Sequence, residues 1–246
     1  MELIIISGVA KVGKTTLANL LAKQAFDLGF KPVILPFAGP LKGEANNRGF
    51  TKEDKPNEYR EFCQVHGALK REQDPNYWVK KFEEKLLKEY EQELSDLKEN
   101  KPYWQRVVIA DDCRYENELS IGKKHKACTI FVSPGKRNLD DMKGTWRTHH
   151  SEAMATAIEN GDDDLLSLFK YVLTNGECIE TLEERVRTMA PIWIGLQAEN
   201  NYTKLESAEI VSELIDIFLD DLNKEEEDDE EEEDDTDYFS SHDRHS

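Results

Sequence analysis

The first 29 residues set a strand, a phosphate-cradling loop and a helix end to end. Leu3, Ile4, Ile5 and Ile6 form a short apolar run. Ser7 follows, and Gly8-Val9-Ala10-Lys11-Val12-Gly13-Lys14-Thr15 then satisfies every fixed position of G-x-x-x-x-G-K-[ST]. Leu17, Leu20, Leu21, Ala25 and Leu28 recur on one face of a helical pattern, and Gly29 stands where a helix stops. The order matters for the chemistry. A buried strand aims the loop, the loop turns its backbone N–H groups toward a phosphate chain, and the helix N-terminus adds partial positive charge at the same place. Lys14 is expected to reach the β- and γ-phosphates of ATP, and the Thr15 hydroxyl to hold Mg2+. Gly8, Lys11, Gly13, Lys14, Thr15 and Thr16 are the candidate ATP phosphate ligands.

The rest of the chain alternates strand and helix patterns. Further strands are expected at Pro32 to Phe37, Val107 to Ala110, Ala127 to Val132 and Phe169 to Leu173. Ala38-Gly39-Pro40-Leu41-Lys42 reads as a turn out of the second strand. Tyr59 to Leu69 is a candidate helix. Tyr77 to Leu97 is a long charged one with Trp78, Phe82, Leu86 and Tyr90 spaced four apart. Glu116 to Lys124, Glu177 to Met189 and Ser207 to Leu222 complete the helical patterns, and Ser133 to Ser151 reads as a loop. Such alternation predicts an α/β fold of P-loop NTPase type: a parallel five-stranded sheet with helices on both faces. Ligands of such a sheet bind beyond the carboxyl ends of its strands, where the loop, Gly39-Pro40, Asp111-Asp112 and Asn175 all fall.

Charge is unevenly spread. Residues 224–246 carry thirteen acids against two bases, so −11 of the formal −19 sits in the tail and −8 on residues 1–223. Like-charge repulsion and a scarcity of apolar residues, with only Tyr238 and Phe239 interrupting the acid run, predict a disordered tail. It reads either as a solubilising segment or as a docking segment for a basic protein partner. A moderately acidic body does not suit a general nucleic-acid binder. Cys63, Cys113, Cys128 and Cys178 lack metal-ligand or redox spacing, which fits reduced thiols in a cytoplasmic protein. The first apolar run is too short for a signal peptide, and no stretch approaches the ~20 apolar residues of a membrane span.

Several segments, taken in order, resemble the deoxynucleoside monophosphate kinases of tailed bacteriophages. They are Ser7-Gly8 with the loop, Phe37 to Lys42, Arg60 to Gly67, Arg71 to Trp78, Val108 to Glu118, and His150-Ser151-Glu152. Many members of that family carry Asp where Thr15 stands here, and the tail after Leu222 lies outside the family's pattern. The resemblance implies transfer of the γ-phosphoryl group of ATP to a nucleoside monophosphate, with Mg2+, in the host cytoplasm. It implies an acceptor-binding helical insertion at about 40–100 and a short lid at about 133–151 in a kinase domain of residues 1–223, and it leaves room for a homodimer. Its Asp-x-Arg element falls on Asp112 and Arg114, which favours Asp112 over Asp111 beside Thr15 for Mg2+.

The acceptor candidates under this resemblance are Lys42, Arg71 and Arg114, each with a plainer alternative. Pro40 could simply shape a turn, Arg71 could be an ordinary surface residue, and Arg114 could pair with Glu116 or Glu118 on the surface. Lys14, Asp112 and Arg114, with the lid arginines Arg137 and Arg147, are the catalytic candidates. The arginines would stabilise charge in a loose transition state, or else belong to a solvated loop. Trp78 could stack on a base, but its spacing with Phe82 favours the core. His150, Ser151 and Glu152 carry over as structural or lid-hinge residues. Asn175-Gly176 is a weak candidate for adenine recognition through backbone groups.

Two other readings remain. One is another small-molecule kinase, such as a dephospho-coenzyme A kinase. The other is a nucleotide-binding regulator acting through its tail. The chain has no Asn-Lys-x-Asp guanine signature, and Asp-Asp rather than Asp-Glu follows its third strand.

Overall fold

The computed structural model describes residues 1–99, 104–134, 150–175 and 178–196. Arg137, Arg147, Gly176, the expected helix from Ser207 to Leu222 and the acidic tail lie outside the described residues. Five parallel strands form one sheet: β1 (Glu2–Ser7), β2 (Lys31–Ile34), β3 (Arg106–Cys113), β4 (Cys128–Ser133) and β5 (Tyr171–Thr174). Their spatial order is β2-β3-β1-β4-β5, with Leu3 opposite Val108 and Ile5 opposite Thr129. The winding therefore reverses at β1, and a ligand crevice lies beyond the carboxyl end of that strand.

Successive strand residues face opposite sides of a sheet. Ile4, Ile5 and Ile6 each have 0% exposure, so both faces are covered. The covering helices are α1 (Lys14–Asp27), α2 (Gly39–Asn47), α3 (Pro56–Gln73), α4 (Tyr77–Lys98), α5 (Glu116–Lys124), α6 (Ala153–Glu159), α7 (Asp163–Leu166) and α8 (Ile179–Trp193). A 3-10 turn, His150–Glu152, leads into α6. α1 buries Leu17, Ala18, Leu21 and Ala25 and packs on β2, β3 and α8. α5 lies on β1 and β4, where Gly122 brings it close: a Cβ there would stand 3.2 Å from Ile5 Cδ1. This is the expected α/β P-loop architecture.

Local differences from the sequence expectation have plain causes. β2 ends at Ile34 rather than Phe37, because Pro36 has no N–H to extend the ladder. Phe37 instead leaves the sheet and stacks on Phe82 of α4 at 4.0 Å. The expected turn at Gly39-Pro40 is the start of α2. Proline suits a first helical turn, and Leu41 and Ala45, one turn apart, are buried. Another proline, Pro56, opens α3, which is longer at both ends than the Tyr59 to Leu69 expectation. α6 and α7 had no counterpart in the sequence patterns.

β3 does not close at Asp111. It continues to Cys113 with one extra residue relative to β1, since Ile5 pairs with Ala110 but Ser7 pairs with Cys113. Such a bulge re-aims side chains beside a site. The start of β3 is fixed by α4. Arg106, 1% exposed, donates through Nε to Glu89 and through Nη1 to Asp96, each at 3.1 Å, and its backbone N–H reaches Glu93.

Candidate active site

The loop between β1 and α1 is shaped by its neighbours. Gly8 has φ +141°, and a Cβ there would lie 2.4 Å from the Val132 carbonyl of β4. Gly13 has φ +103°, and its Cβ would meet Asn175 Nδ2 at 2.5 Å. No larger residue fits either place. Lys11, exposed at the turn of the loop, holds φ 65°, a conformation rare outside glycine. Asn175, at the end of β5, donates from Nδ2 to the Val12 carbonyl at 2.7 Å, and its own N–H reaches Ser133 O at 2.8 Å. Asn175 is therefore a brace for the loop. It is 8% exposed, with its side-chain amide committed to the loop.

Lys14 opens α1 and is 8% exposed. Its ammonium curls back to the carbonyls of Gly8 at 2.7 Å and Val9 at 2.9 Å. Burial, aided by the nearby Arg114 cation, pushes its pKa down to about 8. Asp112 and Asp111 pull it the other way, and an anionic phosphate chain would add to their counter-charge. Thr15 and Thr16 stand exposed on the same first turn.

The bulge decides which acid faces Thr15. Thr15 Oγ1 donates to Asp111 Oδ2 at 2.8 Å. Asp112 points elsewhere: its carboxylate accepts the N–H groups of Phe37 at 2.7 Å and Ala38 at 3.3 Å, and pairs with Lys42 at 3.4 Å. The choice of Asp112 as the partner of Thr15 is thus corrected to Asp111. Asp112 fixes the β2–α2 turn, and Lys42 is tied to it there. A hydroxyl and a carboxylate at the mouth of a phosphate loop are the hard oxygen donors that Mg2+ takes, with water and phosphate oxygens filling its remaining positions. Among the described residues, no group of three or more His, Cys, Asp or Glu side chains is placed to hold a metal.

The two acceptor-candidate arginines converge around the start of α5. Arg114 does not pair with Glu116 or Glu118. Its Nη1 pairs with Glu152, which is 3% exposed and comes from the 3-10 turn. Glu118 instead accepts the backbone N–H groups of Arg114 at 2.7 Å and Tyr115 at 3.3 Å. It also pairs with Arg71 at 3.7 Å. Arg71 lies 4.2 Å over the Tyr115 ring and donates to the Gly67 carbonyl at 3.1 Å. With 23% of its side chain exposed, Arg71 is half-buried. Burial raises the Glu118 pKa to about 7, against the pull of its backbone donors and Arg71.

Trp78 is 2% exposed and donates from Nε1 to Gly67 O at 3.1 Å, so it belongs to the core and offers no face to a base. Next to it runs a ring series from Phe50 through Phe62 to His66, and His66 Nε2 meets Glu44 Oε2 at 2.7 Å. The sequence patterns carried no signal for this series. Glu152, carried over only as a structural or hinge residue, also accepts the Ala10 N–H of the loop at 2.8 Å. Its two contacts span 142 and 38 residues in sequence, so no local pattern could have found them.

No family model matches the chain, and a comparison with curated proteins finds no match. Among solved structures the chain is similar to shikimate kinase from Acinetobacter baumannii in complex with shikimate. Identity is 12% and the TM-score 0.37, over 81% of this chain and 96% of that one. Among the described residues no helix is long and apolar enough to cross a membrane.

Proposed function

We propose that the chain transfers the γ-phosphoryl group of Mg·ATP to the phosphate of a deoxynucleoside monophosphate, giving the diphosphate and ADP. The observation that carries this reading is the placement of Arg71 and Arg114. Each fork is paired with a buried carboxylate: Arg114 with Glu152, which also holds the phosphate loop at Ala10, and Arg71 with Glu118, which also receives the backbone N–H of Arg114. Planar forks of this kind suit a phosphate bearing two negative charges. The ordered resemblance to phage deoxynucleoside monophosphate kinases supplies the nucleoside and the deoxyribose.

In this reading the loop N–H groups and the α1 N-terminus hold the donor phosphates, and Lys14 neutralises the β- and γ-oxygens. Thr15 and Asp111 would hold Mg2+, which supplies charge neutralisation across the donor phosphates. Arg71 and Arg114 would orient the acceptor so that its phosphate oxygen attacks the γ-phosphorus in line. That P–O bond forms as the bond to the β–γ bridging oxygen breaks. No covalent enzyme intermediate is required, and catalysis is positioning with electrostatic stabilisation. Arg137 and Arg147 are the lid arginines of this proposal.

The test is a panel. The full chain is incubated with Mg·ATP and each common ribo- and deoxyribonucleoside monophosphate, and the products are separated by ion-exchange chromatography. A deoxynucleoside diphosphate is the expected product. ATP bound but never consumed would return the chain to a nucleotide-binding regulator.

A further inference from the structure

Glu152 buries a carboxylate between two parts of the site that no chain segment links directly. One oxygen accepts the Ala10 N–H of the phosphate loop at 2.8 Å, and the other pairs with Arg114 Nη1. A buried carboxylate needs charged or donor partners to be tolerated, and both of these belong to the proposed machinery. The turn that carries Glu152 is anchored from behind, since Met154, Ala155 and Ile158 of α6 are buried in the core.

We infer that Glu152 is a positioning residue that fixes the Arg114 guanidinium to the phosphate loop, so that the acceptor-phosphate grip and the donor-phosphate cradle share one register. The inference rests on the proposed kinase reading. Its physical basis is geometric. An arginine side chain has many rotamers, and an unheld one would have to be ordered at each turnover. A guanidinium has five N–H donors, so a carboxylate on Nη1 still leaves donors for a phosphate. The carboxylate also offsets the like charges of Arg114 and Lys14, which stand close enough for Arg114 to depress the lysine pKa.

A competing role would make Glu152 a plug that stands in for a phosphate and is expelled by ATP. The contact pattern argues against it. Glu152 meets the loop at Ala10, on its strand side. The phosphate charge is best stabilised at the other end, by Gly13, Lys14 and Thr15 at the α1 N-terminus. No contact described for Glu152 reaches those three residues.

The experiment compares wild type, Glu152→Gln, Arg114→Lys and the double variant. Three quantities are read: the ATP Kd without acceptor, kcat and KM for the acceptor, and Tm. Glutamine keeps the shape but turns an N–H group toward one of two donors. Glu152→Gln is expected to lower acceptor kcat/KM roughly ten- to a hundredfold, the scale of a misplacement near 1 Å. ATP Kd should move by less than about threefold, and the double variant should fall no further than Arg114→Lys alone, because both losses run through one side chain. Losses that multiply would instead assign Glu152 a purely structural role and overturn the inference. Undiminished acceptor use in Glu152→Gln, or tighter ATP binding, would also overturn it. If Glu152→Gln does not fold, Glu152→Asp carries the same test: it keeps the charge but retreats by one methylene, and full acceptor use by it overturns the clamp. Wild-type turnover with an undiminished variant defeats the clamp alone. No turnover of any monophosphate by wild type defeats the kinase reading and the clamp with it.

Discussion

The Thr15 hydroxyl donates to Asp111 at 2.8 Å, while the adjacent Asp112 is turned away to receive the backbone of Phe37 and Ala38. Two neighbouring carboxylates thus have separate tasks, one at the phosphate loop and one in the β2–α2 turn. Asp111→Asn should raise the Mg2+ concentration needed for half-maximal activity roughly ten- to a hundredfold, because an amide is a far poorer Mg2+ ligand. Asp112→Asn should leave the Mg2+ requirement nearly unchanged and cost about 1–3 kcal/mol of stability through poorly satisfied backbone donors. Activity titrated against free Mg2+, beside urea unfolding of both variants, checks the division.

Lys14 is predicted to set the alkaline limb of ATP use. Its pKa of about 8 in the folded chain means that kcat/KM for ATP should fall as pH rises through 8, since the neutral amine cannot offset phosphate charge. Stability should move the other way. Between pH 8 and the ordinary lysine value of 10.5 the unfolded chain holds the proton and the folded chain does not, so unfolding free energy should rise with pH there. Lys14→Ala should abolish transfer without lowering Tm at pH 7. Activity profiles and Tm across pH 7 to 10 test both signs.

Glu118 should give the opposite stability trend at lower pH. Its folded pKa of about 7 stands above the ordinary 4.5, so the folded state holds the proton more tightly. Its contribution is fully present below pH 4.5 and is lost as pH rises through 7. Glu118→Gln should therefore gain on wild type between pH 5 and 8, by at most about 3 kcal/mol at 1.36 kcal/mol per pKa unit. Unfolding free energies at the two pH values decide this, and a gap that does not change with pH would refute it.

Arg71→Lys and Arg114→Lys should each damage acceptor use more than ATP binding. A charge-assisted hydrogen bond is worth roughly 1.5–3 kcal/mol, so acceptor kcat/KM should drop about ten- to a hundredfold. Since Arg71 is half-buried over Tyr115, its variant should be as severe as that of Arg114. Paired titrations of acceptor and ATP on each variant give the answer. Weakened ATP binding with an intact acceptor profile would move these arginines to the donor side.

What the sequence revealed and what it concealed divide by distance along the chain. The phosphate loop is legible because strand, glycines, lysine and helix follow one another directly. The α5 bounds, Glu116 to Lys124, are legible for the same reason. Asp111 and Asp112 could not be told apart, because their orientations come from the bulge in the β1–β3 pairing rather than from either residue. Arg106 looked like any basic residue before a strand, yet it collects acids from successive turns of α4. Glu152 had the same difficulty, since its partners lie on β1–α1 and just after β3. Gly39-Pro40 misled for a different reason: the pair that marks a turn also marks a helix start, and burial of Leu41 and Ala45 settles it for the helix.

Phosphorus NMR of one reaction mixture tests the central claim most directly. The full chain is mixed with Mg·ATP and the deoxynucleoside monophosphate that the panel favours, and the fate of the γ-phosphorus is followed. Transfer predicts a new terminal phosphate on the acceptor's diphosphate, growing in step with loss of ATP and absent in Lys14→Ala. Release of inorganic phosphate alone, or ATP that persists unchanged beside every monophosphate, would contradict it.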